Sequence, residues 1–231
     1  MHDELVAALG PALGVEWLDV ATGTGEVALR AARAGAVVTA LDLAPVLLEQ
    51  AERKAERAGV PVRFDVGNAE RLPYDGEAFE VVSSSFGFIF AAEHPAAAGE
   101  LARVCRPEGR LGFTAWRPNE ELAELYRPYG QPPEGRQAFD WGRPEYVEEL
   151  LGRAFELDLR ERVWFLDGRD GEELWSLWRR AAPPFKAMVE SLEEGERERF
   201  HADYVAYCER HRTGEAIHVP RPYLLVLGRR R

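Results

Sequence analysis

Between two apolar runs near the start of the chain stand five small residues, Ala21-Thr22-Gly23-Thr24-Gly25. The run before them, ending Trp17-Leu18-Asp19-Val20, reads as a strand; the run after them reads as a helix over 25–34. Glycines this dense between a strand and a helix let a backbone approach something closely. The new helix also offers unpaired N–H groups to an anion. The rest of the first half repeats the same alternation. Strand-like runs at 15–20, 36–41, 61–66, 79–85 and 109–116 are separated by helical patterns at 25–34, 44–58 and 95–105. Strands joined by helical crossovers predict a parallel sheet covered on both faces, the doubly wound α/β plan.

The second half is patterned differently. Residues 117–142 are rich in Pro, Gly and aromatics and read as a first insertion, with a short helix at 119–127. Residues 143–170 return to the core plan, with a helix at 143–153 and an alternating strand at 155–166. Residues 171–213 are helical and highly charged and are expected to form a mobile lid. Residues 214–231 carry a last apolar strand at 222–228. The cofactor-binding core is therefore expected over 1–116.

Charge and cysteines narrow the partners. The 231 residues carry a formal net charge of −11, which disfavours a nucleic-acid partner, since phosphates call for a basic face. Cys105 and Cys208 have no zinc spacing, so no metal is expected, and two isolated cysteines suit a reduced, cytoplasmic protein. The acidic start Met1-His2-Asp3-Glu4 lacks an apolar signal core, and no run of about 18 apolar residues suggests a membrane span.

Gly23-Thr24-Gly25-Glu26-Val27-Ala28 fits the dinucleotide spacing G-x-G-x-x-A, and Asp42 closes the second strand, where an acid can hold ribose hydroxyls. Asp19 shifts that reading. A carboxylate beside a pyrophosphate repels it, whereas one beside an ammonium is favourable. A ligand with a ribose, a carboxylate and an ammonium but no phosphate is S-adenosylmethionine.

Four segments in order carry a resemblance. "LDVATGTGEVA" resembles the first motif of class I S-adenosylmethionine-dependent methyltransferases, with Ala21 where the first glycine often stands. "TALDLAPVLLEQA" resembles the second, "FDVGNAERLPYDGEAFEVVSSSFGF" the adenine-facing stretch, and "RVCRPEGRLGF" the turn into the fifth strand. The G-N-A-E and S-F-G pattern is similar to the quinone-biosynthesis C-methyltransferases, within the type 11 methyltransferase group. The resemblance implies a Rossmann-like, seven-stranded, mostly parallel sheet with the last strand antiparallel. It implies S-adenosyl-L-methionine as cofactor. Asp19 would orient the methionine ammonium. Ala21, Thr22, Gly23, Thr24 and Gly25 would line the methionine end. Asp42 would hold the ribose diol, Leu43 would lie under adenine, Asn68 and Ala69 would read its edge, and Ser85 would lie beneath the methionyl part.

Methyl transfer from a sulfonium is an in-line displacement, so positioning dominates and a general base is needed only if the acceptor must lose a proton. His94, after the fourth strand, is a candidate base; the competing reading is a helix-capping or solvent-exposed pair with Glu93 before Pro95. The fourth strand lacks the Asn/Asp-Pro-Pro-aromatic ending of enzymes that methylate adenine or glutamine amino groups, which favours a small-molecule acceptor. The aromatics Phe86, Phe88, Phe90, Trp116 and Trp141, with those of the helical insertion, suit an apolar or aromatic acceptor or the glue of extra helices. Only about 18 residues precede the glycine loop, fewer than the family usually has, so insertions or a second subunit would cover the cofactor; monomer and homodimer both fit. Two other readings remain: a non-catalytic protein of the same fold, and a nicotinamide-dependent oxidoreductase.

Overall fold

The computed structural model describes residues 1–130 and 137–231; part of the expected first insertion, residues 131–136, lies outside the described residues. The strands are β1 (Glu16–Val20), β2 (Val37–Asp42), β3 (Val62–Val66), β4 (Phe79–Ser85), β5 (Cys105–Trp116), β6 (Phe155–Gly168), β7 (Arg212–Thr213) and β8 (Ala216–Arg230). The helices are α1 (His2–Leu9), α2 (Glu26–Arg33), α3 (Pro45–Ala58), α4 (His94–Val104), α5 (Glu120–Tyr126), α6 (Pro144–Leu151), α7 (Gly171–Ala181), α8 (Pro183–Ser191) and α9 (Glu194–Glu209). Seven strands follow the order β3-β2-β1-β4-β5-β8-β6, with the short β7 paired to β8. β1, β2, β3, β4 and β5 run parallel, and β8 lies antiparallel to β5, as the sheet expected from the sequence requires.

Two compact units divide the chain. One comprises Met1–Arg117, Gly135–Arg162 and Tyr223–Arg231; the other comprises Pro118–Glu134 and Val163–Pro222. The first buries Leu18, Val82, Phe113, Trp141 and Val226 in one core, and the second buries Leu174, Phe200, Tyr204, Tyr207 and Val219 in another. Most aromatics of the helical insertion, among them Trp175, Phe185 and Phe200, belong to that second core. That is the packing role.

Three elements differ from the sequence reading. Residues 2–9 form a helix that was not expected, with Leu5, Val6 and Leu9 buried and Gly10 ending it in the left-handed region at φ 61°. Gly112 admits that helix: a Cβ there would stand 2.8 Å from the Leu9 methyls. Glu4 anchors it, 2.7 Å from Arg162 and accepting from the Tyr223 hydroxyl at 3.0 Å. β5 begins at Cys105 rather than 109, across a register shift opposite Phe79 and Val81. β8 begins at Ala216, well before 222, because Pro220 and Pro222, which lack an N–H, interrupt the strand signal without ending the strand.

Candidate active site at the carboxyl ends of the parallel strands

Register brings the predicted residues to one edge. Asp19 on β1 is opposite Ser83 on β4, Asp42 on β2 is opposite Val66 on β3, and Ser85 on β4 is opposite Thr114 on β5. The loop after β1 holds Ala21, Gly23 and Gly25 at φ 51°, 58° and 82°. Left-handed backbone is inexpensive for glycine and costs an alanine about 1–2 kcal/mol. Gly23 needs its freedom for conformation alone, since nothing lies within 4 Å of where its Cβ would be. Gly25 also lets α3 in, its Cβ position being 3.1 Å from that of Ala51.

The loop is strapped from below and from the side. Asp19 is 1% exposed and accepts from the Thr22 hydroxyl at 2.6 Å and the Ser83 hydroxyl at 2.7 Å. The N-cap of α2, Gly25, has no side chain to offer its first turn. Trp17 donates its indole N–H to Ser83 at 2.8 Å, so the serine relays a buried chain to the carboxylate. Burial pushes the Asp19 carboxyl up to about 6, against the pull of these hydrogen bonds. Its oxygens face the protein, which makes it a residue that positions the loop.

Asp42 is 8% exposed. One oxygen accepts from the Gly23 N–H at 2.7 Å and the other from the Ala44 N–H at 2.9 Å. A carboxylate has about four acceptor sites, so each oxygen keeps capacity for a further donor. Leu43 beside it is 69% exposed, Val46 is 60% and Val66 is 59%. An aspartate followed by an open apolar shelf is what a ribose and an adenine face would need.

Other expected residues take different partners. Asn68 forms an Asx turn, accepting from the Glu70 N–H at 2.9 Å, and is exposed beside the half-buried Ala69. The Ser85 and Thr114 hydroxyls lie 3.2 Å apart. The Thr24 hydroxyl accepts from Lys54 Nζ at 2.8 Å. His94 is 1% exposed, with Nδ1 2.8 Å from the Tyr146 hydroxyl and its ring 5.2 Å from that of Trp141. It is the first residue of α4 and a core residue, so the structure gives no support to a base there.

Two site residues escaped the sequence reading. Lys54 on α3 also donates to Glu26 at 2.8 Å and to the Thr24 carbonyl at 3.2 Å, tying α3 to the loop. Its hydrogen bond is the main cause that pulls the Glu26 carboxyl down to about 2. Lys54 is one of only two lysines in an arginine-rich chain, a signal that was there to be used. Glu70 accepts from the Ala92 and Glu93 N–H groups at 2.6 and 3.1 Å, joining the Asn68 turn to the segment that opens α4. Backbone donors hold its carboxyl below the usual range.

The far wall is strained. Phe86, just past β4, has φ 55°, and its ring stacks on Trp116 at 3.9 Å. The next residue must be glycine: a Cβ on Gly87 would lie 2.3 Å from the Ala21 carbonyl oxygen. Strained backbone at a loop junction of this kind is commonest at ligand sites. Among the described residues, no group of three or more His, Cys, Asp and Glu is placed to hold a metal, and no helix is long and apolar enough to cross a membrane.

Comparison with known proteins agrees with this geometry. Residues 18–109 match the family described as a methyltransferase domain. An uncharacterized protein of Mycobacterium tuberculosis is 38% identical over 169 residues, 66% of this chain and 60% of that one. The demethylmenaquinone methyltransferase of Thermus thermophilus is 43% identical over 118 residues, 49% of this chain and 54% of that one. The chain thus spans no more than about three-fifths of these relatives' length. The crystal structure of the YcgJ protein of Bacillus subtilis overlays with a TM-score of 0.71, covering 100% of this chain and 97% of that one at 17% identity, a likeness of fold. Residues 18–109 thus resemble a methyltransferase domain, set in a fold shared with solved structures.

Proposed function

We propose that this chain transfers a methyl group from S-adenosylmethionine to a small apolar or aromatic molecule. The observation that carries the proposal is the pair Asp42 and Leu43 beside the strapped glycine loop. The carboxylate has acceptor sites to spare for a ribose diol, and the leucine presents an open apolar face for adenine. Ala69 and the Asn68 turn border the adenine edge. Ala21, Gly23, Thr24 and Gly25 give backbone contact to the methionine end, with Thr22 and Asp19 fixing their shape. Ser85 faces the methionyl part.

Bound there, the cofactor supplies a methyl group already activated as an electrophile. The residues of this chain then hold the partners in line and exclude water. No general base is assigned. Asp42 would serve a nicotinamide cofactor equally well, whereas Asp19, a carboxylate beneath the loop, argues against a diphosphate there. The acidic balance of the chain supports a small acceptor over a nucleic acid. The Thermus thermophilus relative is named for methylation of a demethylmenaquinone, which supports an apolar aromatic acceptor for this chain too.

Thermal-shift titration tests the reading. S-adenosylmethionine and its demethylated product should each raise the melting temperature, while NAD leaves it unchanged. A shift with NAD and none with either sulfur ligand overturns the proposal.

A further inference from the structure

Within the second unit a buried cation has no counter-ion among the described residues. Arg221 on β8 is 4% exposed, and among the described residues no carboxylate pairs with it. A guanidinium has five N–H donors. Here Nη2 donates to the Tyr204 hydroxyl at a long 3.3 Å, and Nε has no partner. The guanidinium carbon sits 5.1 Å from the centre of the Trp178 ring and 6.0 Å from that of Tyr207. The Tyr207 hydroxyl is also buried without a partner.

Burying an ionised group unpaired is among the costlier things a fold can do. Cation–π contact offsets part of that cost and leaves the Nε–H unsatisfied. The arrangement is what a site for an anion requires: a planar fork of donors, a second hydroxyl donor, and aromatic faces alongside. Burial raises the phenols of Tyr126, Tyr204 and Tyr207, with Arg221 offsetting it only in part, so they stay neutral at physiological pH and can donate.

We infer that Arg221, Tyr204 and Tyr207, walled by Trp178, form a binding site for a planar organic carboxylate. The acid group completes the guanidinium, and the ring lies against the aromatic wall. The inference concerns this unit alone and does not depend on the methyl-transfer reading.

Titration of the whole protein with benzoate and 2-naphthoate, against the neutral benzamide and 2-naphthamide, tests it by calorimetry. The acids should bind at least tenfold more tightly than the amides. Arg221→Met should remove that preference, and Arg221→Lys should keep part of it. Without ligand, Arg221→Met should melt at or above the wild-type temperature, since it removes an unpaired buried charge. Equal binding of acids and amides to the wild-type protein, or binding of neither, overturns the inference. So does an Arg221→Met protein that melts several degrees lower or fails to fold, since that would make the arginine a structural element.

Discussion

The loop end of the parallel sheet and the core of the second unit bury polar groups in opposite ways. Beneath the loop, Asp19 is ringed by donors and Asp42 closes on two backbone N–H groups. In the second unit, Arg221 and Tyr207 each keep a donor that meets no partner among the described residues. A satisfied network fixes one conformation, which suits a surface that must be ready before its ligand arrives. An unsatisfied one carries a cost in the free protein that a ligand can remove. The first region is therefore read as built for shape, and the second as built for completion.

Mutations can break or sharpen this contrast. The largest effect is expected from Gly87→Ala. Its φ of −94° suits alanine, yet the new methyl would meet Ala21 backbone at 2.3 Å. A stability loss of about 3 kcal/mol or more in chemical denaturation is expected. An unchanged midpoint would mean that the loop yields and is not pre-set.

Next comes Asp19→Asn, read as a function of pH. The folded-state carboxyl is near 6, above its ordinary 3.8, so between those values the folded protein holds a proton that the unfolded chain releases. Wild-type stability from this group is then greatest below pH 4, falls as pH rises to 6, and is level above it. The asparagine variant lacks that fall. Its stability relative to wild type should climb by roughly 3 kcal/mol between pH 4 and pH 7. A difference independent of pH would mean that the carboxyl is not buried as described.

A smaller loss, about 2 kcal/mol, is expected for Ser83→Ala. It removes a donor from Asp19 and leaves the Trp17 indole without its acceptor. Set beside an Arg221→Met variant that loses nothing, it gives the contrast in one pair of melting curves. Equal losses in the two variants would erase it.

Much of the fold could be read directly because strand and helix periods alternate cleanly. β4 falls on the residues expected, 79–85, and α3 differs from expectation by one residue at its start. α1 was hidden because a helix of eight residues has little intrinsic signal and is held by packing, through Leu5, Val6 and Leu9. Asp42 and Leu43 were expected at the end of the second strand, and the structure places them there. Lys54 and Glu70 were not expected, since their roles depend on which backbone groups tertiary packing brings within reach. Asp19 was expected at the end of the first strand, and the structure shows it buried there against Ser83 and Thr22. Arg221 gave no sign at all: whether an arginine in a strand is buried is settled only by what packs over it.

The central claim is that the strand-end site takes S-adenosylmethionine through Asp42. Calorimetric titration of S-adenosylhomocysteine into wild type and Asp42→Ala, with circular dichroism confirming the fold, tests it most directly. Loss of two charge-assisted hydrogen bonds to a ribose should weaken binding by at least about 100-fold. Equal affinity in the two proteins, or no binding to wild type, would contradict the account.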